Sequence, residues 1–159
     1  MKQKELSFWL KCVIAGVAVC GLIIYAVLIP RLADYCVTQG TLASGDSLVW
    51  MISVWVSALP CYAVLVLAWR IAVNIGENRS FSIANAKLLK WISYLTLADV
   101  VYFFAVNVCF LLMDKTPAIM MGVALVICFF GTAFSVCAAA LSHLVVKAAA
   151  IEEENELTV

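Results

Sequence analysis

Charge is scarce in this chain. Of 159 residues only 13% are Asp, Glu, Lys or Arg, and ten acidic residues balance ten basic ones. A water-soluble domain usually has about 25% charged and about half apolar residues. Here 66% are apolar and the mean hydropathy is +1.09, which excludes an ordinary soluble globule. The zero net charge points to neither nucleic acid nor acidic substrates, and no direct nucleic-acid binding is expected.

Histidine is nearly absent, His143 being the single copy, and proline occurs three times. No Gly-rich phosphate loop, His-Glu-x-x-His helix or nucleophile elbow occurs, so the expectation is a non-enzymatic protein without cofactor. The seven cysteines include no Cys-x-x-Cys pair and no His at ligand spacing. Cys12, Cys20, Cys61, Cys109, Cys128 and Cys137 lie in apolar runs and read as small packing residues. Cys36 alone reads as a loop cysteine. No metal site is expected.

The few charges are spaced to leave long gaps. Nineteen uncharged residues separate Lys11 from Arg31, and 23 separate Asp46 from Arg70. Asp99 alone interrupts the 23 residues between Lys90 and Asp114, and 31 residues between Lys115 and Lys147 hold only His143. About 20 apolar residues cross about 30 Å of hydrocarbon at about 1.5 Å each. The sequence therefore predicts an all-α membrane protein, one domain over 1–159. Its four transmembrane helices fall at about 8–30, 48–74, 83–113 and 117–148, by the about 20 residues each crossing needs. The first run is too long for a signal-peptide core and no small-x-small cleavage site follows it. Val19 before Cys20 also rules against lipoprotein processing.

Pro30 is expected to close the first helix and Pro117 to open the fourth, with 31–47 a polar loop around Gly40 and Gly45. Lys2, Lys4, Lys11, Arg70, Arg79, Lys87, Lys90 and Lys147 fall on one side of this arrangement, against Arg31 and Lys115 on the other. That bias places both termini in the cytoplasm, in the cell membrane. Trp9, Trp50, Trp69 and Trp91 fit interfacial belts. Ser82 is a helix-start signal that lets the third helix protrude by about two turns.

The segments Glu77-Asn78-Arg79-Ser80-Phe81-Ser82 and Asn85-Ala86-Lys87-Leu88-Leu89-Lys90 resemble the bacterial DUF2975 membrane family. So does the close of the chain, a basic Lys147, acidic Glu152-Glu153-Glu154 and a final Leu157-Thr158-Val159. The resemblance implies four membrane helices and gene neighbourhoods with a small helix-turn-helix regulator. It implies no activity. The chain departs from the family pattern in carrying Leu within 87–90 where a further basic residue is common.

Asp99 is the sharpest candidate, about 12 Å inside the third helix, where an ionised carboxylate costs about 2.5–3.5 kcal/mol. Tyr102 shares its face, and Asn107 lies about 80° around the helix at the helical period. The favoured reading is a carboxyl hydrogen-bonded within the bundle, and the alternative is an ion or proton relay. His143 reads as a solvated interfacial residue rather than a partner of Asp99. Gly131, Ser135, Ala139 and Ser142 on the fourth helix, and Ser53, Ser57 and Cys61 on the second, read as close-packing stripes. Pro60 is expected to kink the second helix.

The cytoplasmic face is expected to carry Arg79, Phe81, Ser82, Asn85, Lys87 and Lys90 together with an acidic tail of Glu152, Glu153, Glu154, Glu156 and Leu157. A protein that binds or regulates a cytoplasmic partner follows, the partner implied by the resemblance being a helix-turn-helix transcription regulator. The alternative is a small transporter or channel subunit that uses Asp99 and needs homo-oligomers to enclose a pore.

Overall fold

The computed structural model describes residues 3–115 and 118–157, with the side chains of 118–119 and 152–157 not described. Among the described residues, four helices are long and apolar enough to cross a membrane. They are α1, Gln3–Thr38; α2, Ser47–Gly76; α3, Ile83–Leu112; and α4, Ala118–Leu157. No strand occurs among the described residues.

The first helix does not stop at Pro30. It passes through one π-helical turn, Ile24–Leu28, and continues as α-helix over Ile29–Thr38. In the wider turn the Ile29 N–H bonds the Ile24 carbonyl. Pro30 has no N–H to offer the next carbonyl, that of Tyr25. The Trp55 indole of α2 donates to it instead, at 3.0 Å. An unpaired carbonyl in hydrocarbon is costly, so this one bond lets the helix survive its proline and pins α1 to α2.

The expected 31–47 loop shrinks to residues 39–46. Arg31 and Asp34 are exposed on the outer face of the helix while Ala33 and Cys36, three apart, are buried with Leu42. Cys36 is 4% exposed, so it is a packing residue and not a loop cysteine. Gly40, at φ +67°, closes the helix, and Thr41 and Leu42 both donate to the Cys36 carbonyl.

The second helix runs through Pro60 unbroken. The fourth is longer than expected: 40 residues, or about 60 Å, extend to Leu157 rather than ending near 148. Pro117, its expected first residue, lies outside the described residues.

Helix contacts follow the bilayer rule that small residues let backbones meet while hydroxyls bond across. On α4 the residues turned to α3 are Ala124, Cys128, Gly131, Ser135, Ala138, Ser142 and Val145, a four-three repeat. That 3.5-residue period is the seam of a left-handed helix pair. Ala138, not the expected Ala139, sits in it; Ala139 is exposed. Ser135 donates to the Ser93 carbonyl at 2.8 Å and Ser142 to the Ala86 carbonyl at 2.7 Å. A Cβ on Gly131 would come within 2.5 Å of Val100 Cγ2.

Similar bonds join α1 to α2. Ser7 donates to the Ala72 carbonyl at 2.6 Å, and the Tyr62 hydroxyl to the Ala18 carbonyl at 3.0 Å beside Gly21. At the far end Lys115 and Asp46 form an ion pair at 2.6 Å that ties the two loops there. The ladder of neighbours is α1 to α2 to α3 to α4, which leaves a groove between α1 and α4.

Candidate functional site

Asp99 lies where three helices converge. From α2, Ser57 donates to its Oδ1 at 2.7 Å and Cys61, one turn on, approaches its Oδ2 at 3.5 Å. The Tyr25 hydroxyl, carried in from α1 by the π turn, reaches the Cys61 sulfur at 3.9 Å. Ser57 and Cys61 are four residues apart on one face, so a single carboxylate can meet both.

Two clefts open on this cluster. One of about 330 Å³ is lined by Gly21, Tyr25, Pro60, Cys61, Asp99 and Phe134 among others. The second, about 400 Å³, adds Ser57, Val100, Phe103 and Ile127. Tyr25, Cys61, Thr96 and Asp99 line both, and nearly every other wall is hydrocarbon.

The other residues expected around Asp99 are elsewhere. Tyr102 points to α2, donating to the Ser53 carbonyl at 3.1 Å. Asn107 donates to the Phe103 carbonyl of its own helix at 2.8 Å and lines a neighbouring cleft with Trp50 and Met120; that cleft shares Phe103 and Ile127 with the larger Asp99 cleft. His143 is exposed and is not a partner of Asp99. From the sequence alone Ser57 and Cys61 read as a packing stripe. Their four-residue spacing on the helix preceding the only deep acid was the available signal, and nothing in the sequence singles out Tyr25.

The second candidate region is the hairpin between α2 and α3. Asn78 takes the left-handed conformation at φ 60°, and Arg79 N–H closes back on the Asn74 carbonyl at 3.0 Å. Ser82 is the N-cap of α3, accepting from the Asn85 N–H at 3.2 Å. Asn85 is the keystone and is only 1% exposed. Its amide donates to the carbonyls of Arg79 and Ser80 and its Oδ1 accepts from Asn74. This corrects its expected place on a partner surface: Asn85 is spent inside the turn it holds.

What the turn presents is Phe81, 57% exposed, beside exposed Arg79 and Lys87. Arg79 also faces Glu77 at 4.0 Å. Ser80 donates to Gln3 at 3.2 Å, so the start of α1 lies against this hairpin. Lys11 lies 6.0 Å above Trp69 and Lys90 5.8 Å above Tyr94, as expected of long cations at a headgroup boundary. Measured from Lys90, Ile83 stands about 10 Å beyond that boundary. The side chains of Glu152, Glu153, Glu154, Glu156 and Leu157 lie outside the described ones, though the backbone there is helical.

A family model for a protein of unknown function, DUF2975, matches residues 8–159. The chain belongs to the DUF2975 family. It is also 31% identical over 150 residues to the uncharacterized membrane protein YoaS of Bacillus subtilis (strain 168), a match covering 92% of each chain. No solved structure matches it. With four candidate spans, this DUF2975 member is a multi-pass membrane protein whose helices contact the lipid bilayer.

Proposed function

We propose that the chain is a non-enzymatic membrane module, with both termini in the cytoplasm, that holds a cytoplasmic partner on its 77–90 hairpin. The partner implied by the family resemblance is a helix-turn-helix transcription regulator. The observation carrying this reading is the hairpin itself: a buried Asn85 fixes the turn, and the fixed turn holds an aromatic and two cations in solvent. An aromatic anchor ringed by polar groups is the usual chemistry of a protein contact. A tightly held loop also loses little entropy when it binds.

Transport through Asp99 is the weaker reading. Its cluster has two clefts, but their walls are almost wholly apolar, and His143 is exposed elsewhere on α4.

The test is capture from native membranes in mild detergent. Wild-type protein should bring down a helix-turn-helix regulator, identified by mass spectrometry, and Phe81→Ala should reduce its recovery at least tenfold with equal amounts of folded membrane protein. Removal of residues 152–159 should have the same effect. Equal recovery with Phe81→Ala, or no soluble protein at all, would refute the reading.

A further inference from the structure

We propose that the cleft around Asp99 is a binding site for lipophilic amines, molecules with one protonated nitrogen on an apolar body that enter from the bilayer. This is independent of what the hairpin binds. Three observations converge on it.

The first is the carboxylate. Both of its oxygens face donors of α2, Ser57 at 2.7 Å and Cys61 at 3.5 Å, which fix its direction. The second is its lack of a cation. Among the described residues Asp99 is in no ion pair; its partners are the neutral Ser57 and Cys61. A carboxylate at hydrocarbon depth is offset more fully by a bound ammonium than by neutral hydroxyls alone.

The third is the space. Clefts of about 330 and 400 Å³ meet Asp99 and fall within the range that holds small ligands. Their walls, among them Pro60, Phe103, Ile127 and Phe134, suit a hydrocarbon or aryl body. Anions are rejected by Asp99 and hydrophilic cations by the walls. Because α1 and α4 leave a groove between them, the site is reached laterally from lipid rather than from water.

The experiment uses the full chain in nanodiscs of zwitterionic lipid, with empty discs subtracted. The probe is 4-phenylbutylamine, and 4-phenylbutanol is its uncharged counterpart. Saturable binding by calorimetry should favour the amine over the alcohol at least tenfold. Asp99→Asn should abolish that preference. Thr96→Phe, which fills both clefts and keeps the carboxylate, should weaken amine binding at least tenfold. If Asp99→Asn yields no folded protein, the wild-type preference and the Thr96→Phe loss decide the matter together. Equal binding of amine and alcohol, amine binding unaltered in either folded variant, or no saturable binding overturns the proposal.

Discussion

The two faces of α4 and α1 are built on opposite plans. Against α3, α4 presents Ala, Cys, Gly, Ser, Ala, Ser and Val at a 3.5-residue period, and its hydroxyls bond straight to α3 carbonyls. Across the groove, α1 and α4 face each other with larger side chains, and clefts remain between them. Lipid is as apolar as leucine, so apolarity alone does not draw helices together. What closes one face and opens the other is the size of the residues and the bonds their hydroxyls can reach.

The same substitution in the seam between α3 and α4 and on an open surface of α1 should therefore have different results. Gly131→Leu drives a side chain into Val100 and is expected to cost about 2 kcal/mol, seen as a lower unfolding midpoint in bicelles. Gly16→Leu, with nothing within 4 Å of its Cβ, should leave the midpoint unchanged or raise it slightly. Equal losses at both positions would break the comparison.

A smaller effect is expected where α1 is pinned to α2. Trp55→Phe removes the donor to the Tyr25 carbonyl and should cost about 1 kcal/mol. Amide exchange should rise around residues 24–30, and unchanged exchange there would mean the π turn does not depend on Trp55. Smaller still is Asp99→Asn, which keeps an acceptor for Ser57 at similar volume. It should shift stability by less than about 1 kcal/mol, since intramembrane polar pairs contribute about 0.6 kcal/mol on average.

The number of helices was legible because four apolar stretches of 19 to 31 residues, holding Asp99 as their single charge, leave hydrocarbon no other solution. Helix ends were less so. Arg31 and Asp34 look like loop residues until their helical period is set against Ala33 and Cys36, and a 10-residue segment then reads as an amphipathic continuation. The acidic run 152–156 opposes the dipole at a helix C-terminus and so reads as a stop. Glu and the preceding Ala149 and Ala150 are nonetheless strong helix formers, and the helix continues.

Of the site, Asp99 was legible from its isolation in an apolar run. Its partners were not, because which face of α2 meets α3 is decided by packing across 38 to 42 residues of sequence. Asn85 reads as a surface residue because it falls in the 77–90 segment at the cytoplasmic face. Its burial depends on a turn geometry in which Asn78 adopts a positive φ.

The orientation of the bundle carries the functional account, since the hairpin at 77–82 can meet a cytoplasmic regulator only from the cytoplasm. The direct measurement is maleimide labelling of single cysteines placed at exposed Ala43 and Arg79, in intact and permeabilised cells, in a chain without its native cysteines. The account predicts that an impermeant maleimide labels position 43 in intact cells and position 79 only after permeabilisation. Labelling of position 79 from outside would contradict it.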